Sequence, residues 1–89
     1  MRYVANPVEA DAFQILEIEG AESGTTMGAT YHLVVGDGVS ENQRKIATQE
    51  MTSRMIPKIG DYWVIQDDGY VYLNPKHVFE HKYRVKEPL

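Results

Sequence analysis

The clearest pattern of apolar and polar positions lies near the end of the chain. Tyr62 to Gln66 and Tyr70 to Leu73 are aromatic and β-branched runs, the composition of strands. Asp67-Asp68-Gly69 separates them. A three-residue loop with Gly in the left-handed position is a common hairpin link, because Gly has no Cβ to clash at positive φ. That loop pairs Gln66 with Tyr70, Ile65 with Val71, Val64 with Tyr72 and Trp63 with Leu73. One face then carries Trp63, Ile65, Val71 and Leu73, a core face. The other carries Tyr62, Val64, Gln66, Tyr70 and Tyr72. A two-residue loop would slip the register by one and mix the faces. Asn74-Pro75 reads as a cap and first turn, so a short helix is expected from Pro75 to about Lys82, with Val78 and Phe79 inward. Tyr83 to Val85 then returns as an edge strand, and Pro88 ends any ladder.

Upstream, Val8 to Glu19 alternates strongly but changes parity. Val8, Ala10 and Ala12 share one side, Phe13 and Ile15 the other, and Leu16 and Ile18 switch back. A helix is compatible with the composition. The β-branched second half favours a strand, and the parity break predicts bulges or a bend. Gly20 to Gly28 holds three Gly, a Ser and two Thr, and is expected to be a mobile loop. Thr30 to Val35 is a strand with Tyr31, Leu33 and Val35 on one face, followed by a Gly36-Asp37-Gly38 turn. Val39 to Ile56 admits two readings: a helix over Arg44 to Met55 with Ile46, Ala47, Met51 and Met55 inward, or strands that include Lys45 to Glu50. Pro57 to Asp61 is a turn. Together these elements predict an α+β, mainly antiparallel β domain: a small roll or open barrel of about four to six strands with a short C-terminal helix.

Composition narrows the picture. The chain has 89 residues, 43% of them apolar, enough for one small core and a single domain over 1–89. There is no Cys, which excludes disulfides and thiolate zinc sites and fits a reducing, cytoplasmic setting. No apolar run approaches the ~20 residues of a membrane span, and Met1 to Val4 lacks a secretory h-region. The formal net charge is −4. Residues 1–43 carry seven Asp and Glu against Arg2 alone, net −6, and residues 44–89 carry eight Lys and Arg against six Asp and Glu, net +2. The halves can neutralise each other or support association of two copies. General nucleic-acid binding, which asks for a basic excess, is not expected.

Two groups of residues invite a functional reading. Tyr62, Tyr70 and Tyr72 share one hairpin face and could stack a base or another ring, unless another segment covers them. His77-Val78-Phe79-Glu80-His81 matches H-x-x-E-H, the inverted zinc-peptidase pattern. His77 and His81, at i and i+4, lie on one helical face and can share a metal. A working zinc site needs a third protein ligand and a cleft. A two-turn helix near the C-terminus does not supply these, and His32 is the only other His. No catalytic set of nucleophile and base emerges, and no cofactor is implied.

Three stretches, taken in order, resemble a family of small uncharacterised bacteriophage proteins. Tyr3 to Gln14 (YVANPVEADAFQ) is similar to their Y-R-K-K-P-V-x-V-E-A-F-Q opening. Pro57 to Ile65 is similar to their P-G-D-W/Y-I/V-I/V segment. Gly69 to Val85 is similar to their G-E-F-Y-P-x-K-P-D-I-F-E-A-T-Y-E-P-V ending, with Tyr72, Pro75, Lys76, Phe79, Glu80 and Tyr83 on matching letters. The resemblance covers about half the chain. Lys58-Ile59 interrupts the usual Pro-Gly-Asp, and His77 and His81 stand where the pattern has Asp and Ala, so H-x-x-E-H is not a family feature. The resemblance implies phage origin and no established activity, and it favours a strand near Thr48 to Arg54. The readings that follow are an accessory protein that binds a host protein, a nucleotide or another small ligand, or a minor structural or assembly component acting through oligomerisation. A small metal-dependent hydrolase is the remote third.

Overall fold

In the computed structural model, residues 1–5, 8–22 and 29–85 are described. Strands β1 (Arg2–Ala5), β2 (Val8–Glu22), β3 (Thr30–Gly36) and β4 (Gln43–Ala47) come first. A single helical turn, α1 (Gln49–Thr52), follows, then the hairpin β5 (Tyr62–Gln66) and β6 (Val71–Asn74). Helix α2 (Lys76–Lys82) and the two-residue β7 (Arg84–Val85) end the described chain.

The organising element is β2. At ~3.3 Å per residue its 15 residues run about 50 Å, close to the 46 Å long axis of the molecule. It pairs antiparallel with three strands: β1 along Val8–Asp11, β5 along Ala10–Gln14 and β3 along Gln14–Glu22. The parity break in its sequence falls within the pairing with β3. The register shifts between Ile15 and Glu17 and again between Ile18 and Gly20, so two bulges keep Ile15 and Ile18 in one apolar cluster while Leu16 turns outward. The strand reading of Val8–Glu19 holds, and it extends through Gly20, Ala21 and Glu22, where a loop was expected. The rest of that expected loop, residues 23–28, lies outside the described residues, as does Pro88.

The strands form one antiparallel sheet that does not close, with ends at β4 and β7 and with β5 and β6 branching from β2. Among the described residues there are seven strands rather than four to six. The surplus is β1, four residues long and too short to leave a readable period. Tyr3 and Val4 pair with Val85 and Arg84, so the chain end does return as an edge strand.

Both faces of the sheet are covered. One cluster holds Ala10, Ala12, Tyr62 and Val64 under Phe79 and Tyr83. The other holds Ile15, Leu33, Val35, Ala47, Trp63 and Leu73, with Met51 and Met55 packed against it. Small residues on β2 leave room for rings above them. Phe79 is fully buried between the stacked rings of Tyr62, at 4.0 Å, and Tyr83, at 4.6 Å, with Tyr3 edge-on at 4.9 Å.

The hairpin has the register expected of it, Ile65 opposite Val71, Val64 opposite Tyr72 and Trp63 opposite Leu73, with Gly69 at φ +93°. Three expectations need correction. Asn74 does not cap α2. It ends β6, buried opposite Tyr62, and Asp61 takes over: its Oδ1 accepts from the Lys76 N–H at 2.9 Å and its Oδ2 from the Lys58 N–H at 3.0 Å. Val78 does not face inward. Phe79 and Tyr83, four residues apart, define the docking line, and Val78, roughly 100° round the helix, is 43% exposed. The stretch Val39–Ile56 is neither a long helix nor a strand across Thr48–Arg54. β4 ends at Ala47, Thr48 Oγ1 accepts from the Met51 N–H, and one turn of helix follows. Pairing with β3 satisfies the first part, and the Thr52 hydroxyl, bonded to the Ala29 carbonyl, anchors the second.

Candidate functional site

The structure separates the three tyrosines expected to form one platform. Tyr62 lies under α2, 7% exposed, and its hydroxyl donates to Glu80 Oε2 at 2.7 Å. Burial, with the Glu80 contact, pushes its phenol pKa well above the ordinary range. Glu80 also takes the Lys76 ammonium at 2.6 Å. These two partners, Lys76 first, hold its carboxyl below the usual range. Tyr62 borders a cavity of about 300 Å³ together with Tyr3 and Asp37. Asp37 is itself engaged: Oδ2 accepts from the Met1 ammonium at 2.7 Å, and Oδ1 from the Val39 and Ser40 N–H groups at 2.8 Å.

Tyr70 and Tyr72 lie elsewhere and stay together. Their rings stack at 5.5 Å with 26° between planes. Tyr70 is half exposed at the hairpin tip. Tyr72 is half-buried and shares a 2.8 Å hydrogen bond between its hydroxyl and that of Tyr83. Burial first, and that bond second, push the Tyr72 phenol up to about 12. The pair forms one wall of a groove of about 380 Å³, in the size range of small-ligand and peptide pockets.

The groove is built by three elements. β6 contributes its outer side through Val71, Tyr72 and Leu73; α1 and the turn after it contribute Met51, Arg54 and Met55; and α2 sends Lys82 from the other face of the sheet. Two thioethers give an adaptable apolar floor. Arg54 Nη1 reaches the Tyr70 hydroxyl at 3.5 Å, and Lys82 Nζ stands 5.9 Å from the Tyr83 ring centre. Neither cation forms an ion pair among the described residues. Elsewhere Arg44 is held by Glu19, and Arg2 by Glu9, Asp11 and Asp67. Glu50 also lines the groove. Such an arrangement can stack a flat or apolar group on Tyr70 and accept negative charge between Arg54 and Lys82.

Comparison with known proteins adds nothing to this geometry. No family model, curated protein or solved structure matches the chain. The phage resemblance therefore rests on its letters alone.

His77 and His81 are exposed on α2, and Glu80 between them is engaged by Tyr62 and Lys76. His32 is on β3, opposite Ile46. Among the described residues no group of three or more His, Cys, Asp or Glu is placed to hold a metal ion. No helix among them is long and apolar enough to cross a membrane. Sequence reasoning found Tyr70 and Tyr72 but assigned no role to Arg54, Lys82 or the edge of β6. These come together only when α1 and α2 pack on opposite faces of the hairpin, and no local signal announces that.

Proposed function

We propose that the chain is a binding module without chemistry of its own, and that its ligand site is the groove between α1 and β6. The observation that supports this is the coincidence there of a stacked tyrosine pair, Tyr70 half exposed, with two cations that have no carboxylate partner among the described residues. The resemblance to phage proteins extends the proposal: an accessory protein in the cytoplasm of an infected bacterium that takes hold of a host factor. The test is a capture experiment from bacterial lysate with wild-type protein and the Tyr70→Ala, Arg54→Ala and Lys82→Ala variants. A partner held by wild type and released by each variant supports the reading. A partner held equally by all four places the site elsewhere.

A second reading, a structural or assembly role through oligomerisation, is favoured by Val39, Ile56 and Ile59, apolar side chains 75%, 64% and 67% exposed. Gel filtration with light scattering separates it: a closed oligomer that survives dilution supports assembly, and a monomer rules it out.

A further inference from the structure

We infer that the groove takes an extended acidic segment of a partner polypeptide, which adds to β6 as a further strand of the sheet; this rests on the binding-module reading above. The inference begins with the hydrogen-bond alternation of the hairpin. The Gln66 N–H donates to the Tyr70 carbonyl at 2.9 Å, which makes Gln66 and Tyr70 a bonded pair. In an antiparallel ladder bonded and non-bonded pairs alternate. Val64 with Tyr72 and Tyr62 with Asn74 are then the next bonded pairs, and the main-chain groups of Val71 and Leu73 point away from β5. No hydrogen bond engages those outward groups among the described residues. Both residues line the groove. Two N–H and two C=O groups, spaced two residues apart, are the template a strand recognises.

The other edges among the described residues carry charge or are short. β4 carries Arg44 and Lys45, β7 is two residues long with Arg84 at its start, and β2 beyond Ile15, with no strand on its β5 side, carries Glu17 and Glu19. β6 reads Val-Tyr-Leu-Asn, with no charge. Proteins blunt exposed edges with short strands and charged side chains. An uncharged edge that opens into a groove is a place for a partner.

Side chains on both sides of the edge then define that partner. A strand beside β6 sits ~4.8 Å away and turns alternate residues to opposite faces. One set meets Met51 and Met55 and should be apolar. The other meets Tyr70, Tyr72 and Lys82, with Arg54 reaching over Tyr70, and should be acidic or aromatic. Among the described lining residues Glu50 is the one carboxylate, against Arg54 and Lys82, so these side chains make the groove locally basic on a chain whose net charge is −4. A nucleotide would use the rings and cations but leave the two-residue repeat of main-chain groups largely unused.

The test starts with a random dodecapeptide library selected on the immobilised full chain. The winning peptide and, separately, ATP are then titrated while Trp63 fluorescence is followed, since Trp63 lies opposite Leu73. Winners should alternate apolar with acidic residues, and the bound peptide should protect the Val71 and Leu73 amides of the wild-type chain from hydrogen exchange. Val71→Pro deletes an outward N–H without removing a bond to β5, a position where edge strands tolerate Pro, and should weaken the peptide at least tenfold. Arg54→Glu and Lys82→Glu, at exposed side chains, should do the same with the fold intact. Peptide binding that leaves those amides unprotected overturns strand addition while the binding module stands. ATP binding with no selected peptide overturns the peptide class and also leaves the module standing. Neither ligand binding overturns both.

Discussion

Replacing Phe79 with Ala is expected to cost about 5 kcal/mol. Phe79 is fully buried, stacked on Tyr62 and Tyr83 and met edge-on by Tyr3. Truncating a buried Phe costs about 3–5 kcal/mol, and each aromatic pair adds about 0.5–1.5 beyond its area, with overlap among them. At ~0.05–0.15 kcal/mol per residue a chain of this length is stable by about 4–13 kcal/mol, so this one side chain carries a third or more of the total. The loss should spread, because α2 docks through Phe79 and Tyr83, and an undocked helix releases the Tyr62–Glu80 bond as well. Val78 is the control. It is the neighbour of Phe79 in sequence but is 43% exposed, and Val78→Ala should cost under about 1 kcal/mol. Urea unfolding followed by Trp63 fluorescence measures both. With a slope of about 1–3 kcal/mol per M, the Phe79→Ala midpoint should fall by about 2 M or more, or the variant should be unfolded in buffer. A cost near 1 kcal/mol for Phe79→Ala, or equal costs for the two variants, would refute the docking of α2 described here.

Asp61→Ala should destabilise by about 2–3 kcal/mol, since one buried carboxylate accepts from both the Lys58 and Lys76 N–H groups, and Asn74→Ala should not mimic it by removing a cap; thermal melts compare them. Alkaline titration should show Tyr72 ionising near pH 12 by ultraviolet absorbance. Its folded value is raised above the ordinary ~10, so its contribution is complete below pH ~10 and lost as pH rises through about 12; Tyr72→Phe should flatten that part of the stability curve. Glu80 runs the other way: its folded value is lowered, so its contribution is complete above pH ~4.3 and lost as pH falls through the folded value, an acid limb that Glu80→Gln should remove. Gly69→Ala, at φ +93° with open space where its Cβ would go, should cost about 1–2 kcal/mol from backbone strain alone, measured by the same melts.

Much of the local structure was legible before any coordinates. The Asp67-Asp68-Gly69 loop fixed its own register because only Gly tolerates the left-handed position, and the pleat then sorted Trp63 and Leu73 from Tyr62 and Tyr72. The parity break at Ile15–Ile18 announced a bulge because an apolar side chain must return to the same face. These signals act over a few residues, and a sequence records them directly. The cap on α2 was misassigned for the opposite reason: Asp61, fourteen residues before Pro75, reaches the helix only because β5 and β6 bring their ends together. The same holds for the site. Sequence alternation put Tyr62, Tyr70 and Tyr72 on one face, and they do share its parity. Which of them meets solvent depends on where α2 lies, because Phe79 covers Tyr62 and leaves Tyr70 open. Backbone sterics and local alternation were enough to place β2, β3, the hairpin and the two-sided pattern of its side chains. That β1 pairs beside β2, that β2 is the hub, that β6 is the open edge and that Arg54 and Lys82 flank it all depend on contacts between segments far apart in the chain, which leave no local period to read.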